Sequence, residues 1–176
     1  MPDPILLTAF RFEITLRQSA QAESGLSGTD RAPPAAASGS KLGDGAFQEC
    51  SGLDIEMDVQ ELLEGGRNDG VIRRVGRAKY QNLVLRRGMF YTDAQGNGLN
   101  RDLWNWLQGV VSGQRPVVRY DGEVAVKNQA GNTVARWEFD RGLPARVVGP
   151  ALNGKTGEIA IEELHIAHEG LRLAPA

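Results

Sequence analysis

The closing third of the chain sets the narrowest limits on its fold. Trp137 and Phe139 fall on one side of a strand-like run. Gly142-Leu143-Pro144-Ala145-Arg146 and Gly149-Pro150 follow and read as a Gly/Pro-rich turn. A last strand then alternates Ile159 with Ile161 and resumes with Leu164 and Ile166. Its register slips by one residue at Glu162-Glu163, which is how a β-bulge looks in sequence. Period-two patterning of this kind belongs to a half-buried sheet, not to a helix.

The same period recurs upstream. Over residues 9–17, Phe10, Phe12, Ile14 and Leu16 share one face, with Arg11, Glu13, Thr15 and Arg17 on the other. Residues 46–64 and 70–87 read as two long strand regions around the turn Gly65 to Gly70, and 116–126, 132–140 and 157–168 complete an antiparallel set. One helix is expected over 100–111. Asn100 is its N-cap, Asp102 sits in its first turn, and Gly113 ends it. Leu103, Trp106, Leu107 and Val110 make its apolar stripe. With 22 glycines and one helical segment, the reading is a mainly β protein. It is a small antiparallel β-barrel, or two packed sheets, with one flanking α-helix and an extended β-hairpin. A chain of 176 residues is long enough to bury one core. It reads as a single domain over 1–176 with a flexible insertion loop at 18–45, rich in Ala, Ser, Gly and Pro.

Charge excludes some classes of function. A formal net charge of −2 gives no bulk attraction to nucleic acid or to an anionic membrane. No segment approaches a membrane span, and no basic n-region precedes Ile5-Leu6-Leu7. The lone cysteine, Cys50, allows no intrachain disulfide and suits synthesis in a reducing cytoplasm. Within the middle hairpin, charge is partitioned. Residues 44–64 carry acids and no Lys or Arg, whereas 67–87 carry Arg67, Arg73, Arg74, Arg77, Lys79, Arg86 and Arg87 against the single acid Asp69. Cross-strand pairing inside one hairpin accounts for this. So does an acidic strand of one subunit meeting a basic strand of the next, a head-to-tail contact that builds rings or filaments.

No constellation of residues proposes a catalyst, a cofactor or a metal. Asp54-x-Glu56-x-Asp58 starts like a calcium loop, but positions six and twelve are Val59 and Gly65 rather than Gly and Glu. His165 and His168 fall on opposite faces of a regular strand. Glu162 and Glu163 are adjacent and do not converge. Cys50 has no flanking base, and Ser51 is outside any nucleophile elbow. Gly65-Gly66 and Gly96-Asn97-Gly98 are turn glycines, not phosphate loops. Trp104 and Trp106 read as core, with an interface role open to whichever faces outward.

Several blocks together resemble the inner tube protein family of contractile phage tails and contractile injection systems, to which the secretion-system tube protein is related. The ending Glu163-Leu164-His165-Ile166-Ala167-His168-Glu169-Gly170-Leu171 is similar to that family's E-x-L-x-L-A-H-E-G-L close. Phe12-Glu13-Ile14-Thr15-Leu16, Cys50-Ser51-Gly52-Leu53 through Glu64-Gly65-Gly66-Arg67-Asn68, Leu83 to Gly88, and Trp104-Asn105-Trp106-Leu107 follow in the family's order. The resemblance spans nearly the whole chain except 18–45. It implies a structural, non-enzymatic protein whose six copies form a ring. Rings stack into a tube inside a contractile sheath, with baseplate or hub and tail-terminator proteins at the ends and DNA or effector cargo in the lumen. The runner-up is a monomeric β-barrel module with a small ligand in an apolar interior pocket; an enzyme ranks third.

On the tube reading, Glu64, Arg67, Asn68, Arg73 and Arg74 around the hairpin tip are expected to touch an adjacent subunit or ring. Asp54, Glu56 and Asp58 are expected to face the lumen, where an acidic wall repels phosphate over a screening length of about 8 Å. The 18–45 loop cannot order itself by burial. It is expected to pack on a neighbour through Leu26 and Leu42, with Pro33-Pro34 stiffening it.

Overall fold

The fold was read from a computed structural model, which describes residues 6–19, 42, 47–62, 70–92, 98–155 and 157–175. The strands are β1 (Phe12–Gln18), β2 (Glu49–Ser51), β3 (Ile55–Leu62), β4 (Ile72–Tyr80), β5 (Leu83–Gly88), β6 (Tyr91–Thr92) and β7 (Gly98–Leu99). After the helix α1 (Asp102–Val111) come β8 (Tyr120–Lys127), β9 (Thr133–Val148), β10 (Ile161–Ala167) and β11 (Gly170–Ala174). Seven strands form one antiparallel sheet in the order β1-β8-β9-β10-β5-β2, with β11 also on β9. The class is mainly β with one helix, as the alternation implies, but the barrel does not close. Among the described strands, the two outermost, β1 and three-residue β2, each pair with one neighbour, and Leu42 N–H bonds the other edge of β1 at Leu16 O.

The core lies inside the curl of this sheet. Leu83, Leu103, Leu164 and Ile166 are fully buried, and Ile14, Leu16, Leu85 and Phe139 nearly so. Phe139 sits so close to β8 that a side chain at Gly122 would place its Cβ 2.1 Å from the ring, so glycine is the only residue that fits there. Phe10 lies ahead of β1 and is exposed, with the Arg11 guanidinium 5.5 Å from its ring centre.

Two sequence expectations are corrected in β9 and β10. The Gly142–Arg146 segment is not a turn, because β9 runs through it for 16 residues. Pro144 sits opposite Ile166 where the β9–β10 register shifts, and a bulge tolerates a residue with no N–H to give. The bend in β9 centres on Arg141, which holds a left-handed φ of 55°. Such a backbone costs a non-glycine residue about 1–2 kcal/mol. Its N–H donates to Asp121 Oδ1 at 2.7 Å, and Glu169 bridges Arg141 and Arg119 at 2.9 and 2.6 Å. The second correction concerns Glu162-Glu163. Pairing of β10 with β5 is continuous there. Glu162 keeps the inward phase of Leu164 and Ile166, while Ile159 and Ile161 are left exposed.

The helix begins at Asp102, two residues later than expected. The residue at its cap, Arg101, makes no side-chain capping bond, while the Asn100 side chain accepts the Asp102 N–H at 3.1 Å. Gly113 follows the end in a left-handed conformation and donates to Val110 O.

Candidate assembly surfaces

The hairpin β3–β4 is a separate two-stranded ribbon. Its pairing puts Ile55, Met57 and Val59 opposite Tyr80, Ala78 and Val75. Because side chains alternate, these six form one largely apolar face, which ends towards the tip in the Glu61–Arg73 pair, and Glu56, Asp58, Gln60, Arg74 and Lys79 form the other. The apolar face is uncovered: Ile55, Val59 and Val75 are 53, 60 and 74 % exposed. Near the tip, Leu62 and Ile72 pair on the charged face. The register shifts between Met57 and Val59, beside Gly76, where a Cβ would meet Asp58 at 3.0 Å. At the base, the Tyr80 ring lies 5.4 Å from His168, which in turn lies 5.7 Å from Phe139. Burial pulls the His168 pKa below the ordinary histidine value, although Nδ1 lies 3.0 Å from Gly170 O.

The charge partition of the hairpin is partly spent inside it. Arg73 bonds Glu61 at 3.3 Å and Lys79 bonds Asp58 at 2.6 Å, which raises the Lys79 pKa. Asp54, Glu56, Arg74 and Arg77 make no ion pair among the described residues. Glu64, Arg67, Asn68 and Leu26 lie outside the described residues. Leu42 is in the core of its own subunit, 8 % exposed, and its N–H donates to Leu16 O at 3.1 Å. That side chain is committed within the chain.

Sequence reasoning missed a buried polar cluster that fixes the helix to the sheet. Arg87 Nε donates to Glu162 Oε1 at 2.6 Å, with both side chains almost wholly buried. The Trp104 indole donates to the other Glu162 oxygen at 3.0 Å, and Arg87 also donates to Asn100 Oδ1 at 3.1 Å. Every charged oxygen therefore has a partner, as a buried pair requires. The available signal was phase: Arg87 continues Leu83 and Leu85, and Glu162 continues Leu164 and Ile166. On the opposite face of the sheet, Glu163 lies 2.6 Å from Arg86 and 2.5 Å from His165, and both contacts lower its pKa, Arg86 more. Cys50 lies beneath. Burial, then the Glu49 charge, pushes its thiol up to about 11, so it is protonated and unreactive at neutral pH.

A cleft of about 370 Å³ lies between α1 and the 114–120 segment, lined by Trp106, Val110, Val118 and Tyr120 among others. Its wall shares Leu42, Trp106 and Tyr120 with the core cluster, whose centre Phe139, Leu85, Leu164 and Ile166 fill. Among the described residues, no group of three His, Cys, Asp or Glu side chains is placed to hold a metal. No described helix is long and apolar enough to cross a membrane.

The fold defines a mainly β protein with one helix and a two-stranded ribbon whose apolar side chains stay exposed. The family follows from comparison with known proteins. The model of the T4-like virus tail tube protein gp19 family matches residues 8–172, and the chain belongs to that family. It is a structural protein of tail tubes. No curated protein sequence matches it. Three solved chains, each 19 % identical, share the fold. One is in the cryo-EM structure of the anti-feeding prophage baseplate, 6-fold symmetrised (TM-score 0.70, covering 99 % of this chain and 98 % of that one). Another is in the tube-terminating cap of the same particle (TM-score 0.69, 100 and 95 %). The third is in the sheath-tube complex of the extracellular contractile injection system PVC in its extended state (TM-score 0.68, 97 and 93 %).

Proposed function

We propose that six copies of this chain close into a ring and that rings stack into the inner tube of a contractile tail or injection particle. A sheath would surround the tube, baseplate or hub and terminator proteins would meet its ends, and DNA or effector cargo would pass through it. The subunit would be made in the cytoplasm and function in the particle. The observation that carries this reading is the uncovered apolar face of β3–β4. A monomer leaves large apolar patches exposed only where something binds. The 6-fold baseplate and sheath-tube assemblies that hold chains of the same fold support the ring and its partners.

The hairpin is the element that reaches a neighbour, with Glu64, Arg67, Asn68, Arg73 and Arg74 at the contact. A head-to-tail arrangement lets its acidic and basic strands meet different copies. The outer edge of β2 suits pairing between subunits, which removes an edge that otherwise aggregates. The insertion at 18–45, through Leu26, is a further contact with the next subunit, ring or sheath. Light scattering on the purified protein at micromolar concentration, with negative-stain micrographs, tests the reading. Hexamers, rings or tubes are expected. A strict monomer that stays monomeric when baseplate components are added overturns it, and leaves the single-subunit ligand module.

A further inference from the structure

Asn153 is followed by Gly154 in the segment between β9 and β10. An Asn-Gly pair favours a turn, and here the side chain closes it: Asn153 Oδ1 accepts the Lys155 N–H at 3.0 Å. A bond to the amide two residues on folds the side chain back over the peptide between them. That brings Asn153 Cγ toward the Gly154 nitrogen. Glycine sets no Cβ beside this nitrogen, and a Cβ built at Gly154 would meet nothing within 4 Å. Asn153, Gly154 and Lys155 are all exposed, so water reaches the group.

Asn100 supplies a comparison within the same chain. Its Oδ1 also accepts the N–H two residues on, from Asp102 at 3.1 Å. The same oxygen accepts from Arg87 at 3.1 Å, and the residue that follows is Arg101, not glycine. The two asparagines share the turn. They differ in the freedom of the carboxamide and in the bulk beside the next nitrogen.

We propose that Asn153-Gly154 is a self-modifying site, at which the Gly154 nitrogen attacks Asn153 Cγ and the carboxamide nitrogen leaves as ammonia. The new N–Cγ bond forms as Cγ–Nδ2 breaks. The Gly154 amide proton goes to hydroxide, and the leaving nitrogen takes a proton from water. The product is a cyclic succinimide. Water then opens one of its two carbonyls, giving aspartate at 153 or isoaspartate, in which the backbone runs through the side-chain carbon. No oxidant or reductant is needed. The folded turn holds nucleophile and carbonyl together, and the Lys155 N–H already on Oδ1 stabilises the oxyanion that develops there. Each event adds one negative charge beside Leu152, which is 88 % exposed. The reaction needs no neighbouring subunit and stands apart from the tube reading.

Peptide mapping of the aged full-length protein tests the site. Samples are held for days in buffers from mildly acidic to mildly alkaline and digested with trypsin. Peptide 147–155 contains Asn153 as its only amide side chain. It should gain the mass of oxygen in place of NH and split on chromatography into aspartate and isoaspartate forms, faster as pH rises. Asn100, told apart from Asn97 by fragmentation, should stay intact. Conversion at Asn153 should run faster in the folded protein than in urea. Gly154→Val should slow it by about tenfold, or about 1.4 kcal/mol in barrier. An unmodified peptide 147–155, a rate no faster folded than in urea, an unchanged rate in Gly154→Val, or equal loss at Asn100 each overturns the proposal.

Discussion

The body and the hairpin are written in the same alternating code and end in opposite states. In β10, Leu164 and Ile166 have no exposure; in β3, Ile55 and Val59 keep half or more of theirs. The body strand has a second layer, formed by the curled sheet and α1. The ribbon has none among the described residues. Full burial of one such side chain stabilises by about 1.5–3 kcal/mol, a gain the body takes on folding and, on the proposed function, the ribbon would take on assembly. What holds the ribbon in the free subunit is its ladder and the exposed pairs Arg73–Glu61 and Lys79–Asp58. Solvent-exposed pairs of that kind add little, and an isolated two-stranded hairpin is marginal. If the ribbon is the assembly surface, folding and polymerisation draw on the same apolar chemistry in two places, and substitutions should separate them.

The largest effect should come from the body. Glu162→Ala strands the Arg87 guanidinium and the Trp104 indole in the core, and breaking a buried pair costs about 3–5 kcal/mol. Urea unfolding of the isolated subunit reads it directly; a loss below about 1 kcal/mol would mean the cluster is hydrated or dispensable. Replacing both charges together, Arg87→Met with Glu162→Met, should cost less than the two single changes summed. Gly122→Ala comes next. The added Cβ meets Phe139 head-on, and overpacking costs about 1–3 kcal/mol. An unchanged unfolding midpoint would show that the ring moves freely.

The junction of the two regions should respond to pH. His168 touches Tyr80 from the ribbon and Phe139 from the body, with Asp140 as the nearby charge. Its native pKa lies below the unfolded value of 6.5, so the unfolded chain binds the proton more readily. Its contribution is therefore complete above 6.5 and is lost as pH falls from there through the native pKa. Compared with wild type, His168→Gln should flatten stability over that window; parallel curves would remove His168 from the account. The smallest effect on folding belongs to the ribbon. Arg73→Glu with Arg74→Glu should shift subunit stability by less than about 0.5 kcal/mol while impairing polymerisation, as read by sedimentation. Normal tube lengths in that variant would mark both arginines as merely solvated.

Much of the body was legible in sequence. Period two gave β1, β8 and β10, but it ran β2 into β3 and β4 into β5, stopped short in β9 and missed β11; the apolar stripe of α1 gave the helix, and Gly113 gave its end. The family was legible from the order of short blocks. Two things failed for identifiable reasons. Gly142 and Pro144 read as a turn because local propensity carries no information about a bulge partner, and β9 passes straight through them. Glu162 read as a slip because a charge in an apolar phase is ambiguous until its partner is known, and Arg87 is 75 residues away. The ribbon's exposed face was not legible at all. Alternation shows that Ile55, Met57 and Val59 share a side, not that the side is left exposed.

The central claim is that this uncovered face is an assembly surface. Val59→Lys with Val75→Glu tests it most directly, because the two residues are cross-strand partners and the new charges attract. The isolated double variant should unfold at the wild-type urea concentration and form no tubes in micrographs or pelleting. Tubes of normal length and abundance from a variant carrying two charges on that face would contradict the account.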